Sequence, residues 1–210
     1  FGAITPIKGL VKSLDDLWDV AMAGPLAGGL TALAILAVGL ADTHAGVEGL
    51  IPVPTPLFQG SLVLGGLCHL VLGDEAFRGA TVMLSPLVIA GWCGVVSTCF
   101  NLLPVGQLDG GRIAQASYGR GGLQLTSFFT YVGLALGLLG SSLALPFGLI
   151  VLVLQRTPET NVQDQLTLAG EGKKLVTTVA VLFAILVLVP VAPELSQTIG
   201  LTPPGGPGYL

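Results

Sequence analysis

The sequence predicts an all-α integral membrane protein, with about five membrane helices and one short re-entrant or interfacial helix. Three observations predict it. Hydrophobic residues fill 52% of the 210 positions and charged residues only 10%, whereas soluble domains carry about 25% charged residues. Mean hydropathy is +0.85. Several charge-free stretches run for the roughly 20 residues that a helix needs to cross the hydrocarbon core of a bilayer. The same composition excludes a disordered tail, a typical soluble enzyme and a nucleic-acid binder. With 8 Lys and Arg against 12 Asp and Glu, no basic patch exists to neutralise phosphates.

The elements follow in order. Residues 20–41 are uncharged and form the first span. Asp15, Asp16 and Asp19 precede it and suit a helix start, where negative charge meets the positive end of the helix dipole. No leader-peptide pattern comes before it, and a start at Phe1 is that expected of a processed or truncated chain. Residues 56–72 are apolar but include Gln59, Ser61, three glycines and His69, and read as the partial helix. Residues 83–103 form the next span. From 121 to 155 there is no charge, which is too long for one span, and Pro146 divides the stretch. It reads as a helix over 123–141 and a short return helix over 145–155. A polar linker, 157–172, leads to the last span at 175–191. Residues 193–210 are rich in Pro and Gly and form a flexible tail. Residues 1–192 thus make one membrane domain in contact with lipid.

Positive charge agrees with this path. With 56–72 not crossing and 123–155 a hairpin, Lys8, Lys12, Arg112, Arg120, Arg156, Lys173 and Lys174 share one side, opposite Arg78. Arg112 and Arg120 then mark the positive side. Cys68, Cys93 and Cys99 form no CxxC pair and read as small apolar helix residues. Gly24-xxx-Gly28 and Gly133-xxx-Gly137 fit a close helix-packing motif. Trp18 suits an interfacial anchor and Trp92 helix packing.

One segment stands out for chemistry: Asn101-Leu-Leu-Pro104-Val-Gly-Gln-Leu-Asp109-Gly110-Gly111-Arg112. It follows directly from an apolar span, where an ionisable residue costs on the order of 3 kcal/mol at a helix centre. Pro104 cannot continue regular helix hydrogen bonding, and the glycines permit unusual backbone angles. Non-helical backbone at membrane depth is tolerated where it is buried in protein or lines a cavity. Two readings fit: an ordinary loop with an Asp turn, or a broken helix presenting Asn101 and Asp109 as a metal or substrate site.

The pattern Asn-x-x-Pro-x-x-x-x-Asp-Gly resembles the signature of site-2 proteases, the intramembrane zinc metalloproteases. The whole run from Phe100 to Arg112 strengthens the likeness. So do Leu87-Val-Ile-Ala-Gly-Trp-Cys-Gly94, Ala144-Leu-Pro-Phe-Gly148 and Gln155-Arg-Thr-Pro-Glu159. Together with Ala23-Gly24-Pro25-Leu26-Ala27-Gly28 and Phe58-Gln59-Gly60-Ser61-Leu62, they resemble the plastid branch called ethylene-dependent gravitropism-deficient and yellow-green proteins. The resemblance implies that Asp109 is the third zinc ligand and that Asn101 positions substrate or stabilises the reacting carbonyl. It gives Pro104, Gly110, Gly24 and Pro25 structural parts in the motif. It further implies hydrolysis of a peptide bond in a transmembrane protein substrate, and a plastid location, thylakoid in preference to inner envelope. The other two ligands of that family are histidines of an H-E-x-x-H helix, whose Glu is the general base.

The sequence departs from the family at that point. It contains no H-E-x-x-H, and its two histidines are His44 and His69. His44-Ala-Gly-Val-Glu48 has the wrong order and reads as loop; His69 reads as a locally satisfied helix residue. In the family the missing helix lies just upstream of a segment like Phe1-Gly-Ala-Ile-Thr5. Two functions are therefore carried forward. One is the C-terminal membrane core of a site-2-type protease, binding zinc only where an H-E-x-x-H helix is present. The other is a catalytically inactive scaffold or subunit of a plastid membrane complex. A transporter is the third class, but no internal repeat and no second acidic residue within a span support it.

Overall fold

A computed structural model describes residues 9–77, 79–138, 159–160 and 162–189. The described residues are mostly helical and divide into two compact units. One contains Phe1–Leu26 and Cys99–Ala184, the other Ala27–Thr98 and Ile185–Leu210.

The first unit opens on strand β1 (Val11–Ser13) and helix α1 (Leu14–His44). Ser13 starts the helix by accepting the Asp16 backbone N–H at 3.1 Å and donating its hydroxyl to the Asp16 carboxylate at 3.0 Å. Helix α4 (Asp109–Leu138) supplies the second wall. Leu14 and Leu17 cluster with Ala116, Val162 and Ala169, while Gly24, further along α1, comes beside Asp109 at the start of α4. The two helices therefore run antiparallel here. Strand β4 (Val162–Asp164) pairs in parallel with β1, Val11 opposite Val162 and Ser13 opposite Asp164. The Asp164 carboxylate then accepts the N–H groups of Leu166 and Thr167, turning the chain toward helix α5 (Glu171–Leu188).

Gly119 breaks α4, with φ 72° and ψ −175°. An L-residue side chain strongly disfavours that φ. A straight helix would carry Ser127 about 27 Å from Asp109 at 1.5 Å per residue. Instead the Ser127 hydroxyl donates to the Pro104 carbonyl at 2.8 Å, in the turn just before Asp109. The chain thus runs from Asp109 to Tyr118, bends back at Gly119, and returns past its own starting point.

The bend sits level with a polar belt. Lys173 reaches Asp15 and Asp19, each at 2.7 Å, and lies 5.2 Å from the centre of the Trp18 ring. Trp18 donates to the Thr177 hydroxyl at 2.8 Å, and the Tyr118 hydroxyl meets that of Thr178. Beyond Asp19, Arg120 and Lys174 the three helices expose mostly apolar side chains, including Val20, Leu125, Phe128, Phe129, Leu175, Val179 and Leu182, with Thr31, His44, Gln124 and Thr178 as polar exceptions. Asp109 is nine residues down its limb from Tyr118, about 13 Å along the helix.

In the second unit, the later turns of α1 pack on α3 (Pro86–Asn101) through very close backbone approaches. A Cβ on Gly39 would lie 2.5 Å from the Val88 nitrogen, and one on Gly91 would lie 2.5 Å from the Leu36 nitrogen. Strand β2 (Ile51–Pro54) pairs antiparallel with β3 (Thr81–Leu84). A 3-10 turn (Thr55–Gly60) leads to α2 (Leu62–Leu72), whose first turn Ser61 caps by accepting the Leu64 N–H. Phe58 meets Phe77 and Trp92 edge-on, at 5.0 and 5.6 Å between ring centres, and His69 stacks on Phe77 at 4.2 Å.

Several expectations change. The fold is not purely helical, because two small sheets tie its loops. Among the described residues one helix, α1, is long and apolar enough to cross a membrane by itself; α2 and α3 are shorter apolar helices. Met83 belongs to β3, so the segment expected to begin at 83 becomes helical only at Pro86. The helix expected at 123–141 begins just after the break at Gly119, and a separate helical limb, 109–118, precedes it. The stretch 157–172 is no simple linker, since Glu159 and Val162 are buried and β4 pairs with β1. Arg112 is not a surface marker of the positive side but a buried side chain. His44 ends α1 rather than lying in a loop. Gly28 makes an ordinary contact with Thr98, and among the described residues nothing lies within 4 Å of where a Gly133 side chain would begin, so neither is a point of close approach there. The expected helix at 145–155 and the tail at 193–210 lie outside the described residues.

Candidate functional site

The site is built from the turn between α3 and α4. Asn101 is the last residue of α3 and is half-buried. The Leu102 and Leu103 N–H groups bond back to Cys99 and Phe100, tightening the helix end. Pro104 then stops it. Val105 donates to the Leu103 carbonyl at 2.8 Å around Pro104, and Leu108 donates to Val105 at 3.2 Å. Arg112 donates its backbone N–H to Leu108 at 2.9 Å, which opens α4 with Asp109 in its first turn. The turn from Leu102 to Gly106 is buried.

Gly110 is what lets this turn close. A Cβ at that position would run into the Leu102 carbonyl and lie 2.5 Å from the Leu103 oxygen. The Asp-Gly pair thus sets Asp109 at a helix N-terminus, where a carboxylate is favoured by the helix dipole. Its two oxygens meet different neighbours. Oδ1 is 3.8 Å from Arg112 Nη1, and Oδ2 is 3.8 Å from where a Gly24 side chain would begin. Gly24 is exposed, and Pro25 beside it is buried inside α1. The structure therefore brings Gly24 to Asp109, with Gly110 and Pro104 in the turn. Asn101 stands at the other end of that turn.

Sequence reasoning missed the residues behind Asp109. Arg112 Nε is 3.4 Å from Glu159 Oε2, and both side chains are buried. Gln115 holds Glu159 by its backbone, donating to the Glu159 carbonyl at 2.8 Å and accepting its N–H at 2.9 Å. The run Gln155-Arg-Thr-Pro-Glu159 carried part of the family likeness, but a contact across 47 positions left no local signal.

A catalytic zinc takes three protein ligands. Asp109 fits one such position. Among the described residues no group of three His, Cys, Asp or Glu comes together, so they do not complete a zinc site. His69 is stacked on Phe77 in the second unit, and His44 closes α1.

Residues 1–140 match the profile of Peptidase family M50. The chain belongs to that family, the site-2 proteases. It is 43% identical over 203 residues to the "Probable zinc metalloprotease EGY1, chloroplastic" of Oryza sativa subsp. japonica, covering 96% of this chain and 35% of that protein. The protein of the same name from Arabidopsis thaliana is 43% identical over 203 residues, covering 96% of this chain and 37% of its own length. The "DDT domain-containing protein PTM" of Arabidopsis thaliana is 46% identical over 159 residues, which is 75% of this chain and 9% of that protein. The chain thus spans little more than a third of the length of these two metalloproteases. No solved structure matches it.

Proposed function

We propose that this chain is the C-terminal membrane core of a plastid site-2 protease and contributes Asp109 as one zinc ligand. The observation that carries the reading is the placement of Asp109. It stands at a helix N-terminus beside Gly24, roughly 13 Å along α4 from the polar belt. Asn101, at the head of the same turn, positions the substrate. The two imidazoles and the general base come from an H-E-x-x-H helix that these 210 residues do not contain. The substrate is a peptide bond in a transmembrane protein. The names of the relatives support a chloroplast location, and the thylakoid is the membrane proposed.

The alternative reading is a catalytically inactive scaffold or subunit of a plastid membrane complex. One experiment separates the two. The protein is purified from its native membrane, its peptides are mapped by mass spectrometry, and its zinc content is measured. The protease reading expects an H-E-x-x-H peptide in the same polypeptide and about one zinc per chain, lost in Asp109→Ala. A zinc-free protein without that peptide, recovered in fixed ratio with other subunits, establishes the scaffold instead.

A further inference from the structure

Helix α2 is turned the wrong way round for water. Its 11 residues, Leu62–Leu72, carry one polar side chain, His69, and that side chain is buried along with Leu64 and Cys68. Positions 63, 67 and 70 fall on the opposite face of a helix with 3.6 residues per turn. They hold Val63, Leu67 and Leu70, and Leu70 is 84% exposed. A helix at a protein surface in water shows the reverse, polar outside and apolar inside. The chain before α2 agrees. No Asp, Glu, Lys or Arg stands between Glu48 and Asp74. Leu57 is exposed in the 3-10 turn whose Phe58 carbonyl packs on Gly65 of α2, and Pro52, Pro54 and Pro56 are exposed just before it. Those prolines remove three backbone N–H donors that hydrocarbon could not satisfy.

The starting point of α2 identifies the apolar phase that its outer face meets. The Leu62 N–H, at the N-terminus of α2, donates to the Val189 carbonyl at 3.0 Å. Val189 directly follows α5, and its own N–H still closes on Ile185 at 2.9 Å. That last turn exposes Ile185, Leu186 and Val189. An exposed apolar surface therefore leads from the end of α5 to the start of α2, and exposed apolar patches mark sites of protein or membrane contact. The ends of α2 do not require water. Ser61 accepts the Leu64 N–H, and the Gly73 N–H returns to the His69 carbonyl at 2.9 Å. At 1.5 Å per residue α2 is about 17 Å long, short of a hydrocarbon core of about 30 Å.

We propose that α2 docks on the bilayer, with Leu57, Leu67 and Leu70 set among the lipid acyl chains of one leaflet. The turns carrying Glu48 and Asp74-Glu75 stay in water on either side of it. The excursion between α1 and α3 is then an interfacial anchor, with its apolar face sunk into the boundary of headgroups and acyl chains. This holds whether or not Asp109 ligates zinc.

The test measures what reaches that face. The full-length protein, its native cysteines replaced, is spin-labelled at single introduced cysteines and reconstituted in palmitoyl-oleoyl phosphatidylcholine vesicles. Power saturation compares access by oxygen, which concentrates in lipid, with access by a water-soluble nickel chelate. Leu186→Cys is the reference on α5, and Glu48→Cys is the reference for water. Leu70→Cys should give an oxygen-to-nickel ratio close to that of Leu186→Cys and several-fold above that of Glu48→Cys. A ratio equal to that of Glu48→Cys would put α2 in water and overturn the proposal. A label at 70 shielded from both reagents would mean that another segment or a second copy covers the face, and would overturn it equally. Circular dichroism reports the fold of each variant. Should Leu70→Cys fail to fold, Leu67→Cys reads the same face with the same expected ratio.

Discussion

Gly110 is the residue on which the site depends most directly. A side chain there meets main-chain carbonyls, those of Leu102 and Leu103, rather than the movable end of a neighbouring side chain. The turn must therefore open to admit even one methyl group. Overpacking against a well-fitted backbone costs about 1–3 kcal/mol, and occasionally more. Gly110→Ala should lie at the upper end of that range and displace Asp109. Gly133→Ala is the matched control, because among the described residues nothing stands within 4 Å of its added atom. In a helix interior that change should stabilise by up to about 1 kcal/mol. Denaturant unfolding of both variants in detergent, with zinc content read alongside, checks the pair; equal stabilities would show that the turn is slack. At this scale the sequence was informative where chemistry is local. Asn101, Pro104, Asp109 and Gly110 lie within ten residues and announce a broken helix. Arg112 looked like a positive-side marker because its partner Glu159 is distant in sequence. Positive charge on a loop and positive charge in a buried cluster have the same letter.

At the scale of elements, glycine spacing was the signal most easily misread. Gly24-xxx-Gly28 and Gly133-xxx-Gly137 match a packing motif, yet the closest helix approach is made by Gly39 and Gly91. Those two fall on different helices, so no single-helix motif reveals them. Both stand against backbone atoms of the facing helix, at 2.5 Å for an added Cβ. Gly91→Ala should therefore force α1 and α3 apart and destabilise by about 1–3 kcal/mol. Gly66→Ala, with open space around it in α2, should be close to neutral or mildly stabilising. Thermal melts of the two variants test this, and an unchanged melt for Gly91→Ala would mean the crossing is looser than its geometry. The break in α4 was legible in principle. Tyr118-Gly-Arg-Gly-Gly122 packs three glycines into five positions, and Gly119 takes the one φ that ordinary residues avoid. Hydropathy passes over it, because a charge-free window registers composition and not the direction of the chain.

For the whole molecule, the same difference between composition and path decides how the chain meets a bilayer. Helix α1 has 31 residues, about 46 Å at 1.5 Å per residue, and exceeds a hydrocarbon core of about 30 Å. Its first turn carries Asp15 and Asp16, and its far end opens into a polar turn containing Glu48. The limb from Asp109 to Tyr118 runs toward the belt of Lys173, Asp15 and Trp18, and Arg120 follows the bend. A membrane-impermeant maleimide should therefore label Lys12→Cys and Arg120→Cys from one face, in a protein whose native cysteines are replaced. Glu48→Cys should label only from the opposite face, and Asp109→Cys should resist labelling from either until the membrane is dissolved. Lys12→Cys and Glu48→Cys reacting from the same face would mean that α1 does not span. Arg120→Cys joining Glu48→Cys would mean that the Asp109–Tyr118 limb does not run to the face of Lys12, in which case Asp109 would lose the depth that makes it a candidate for chemistry on a transmembrane segment.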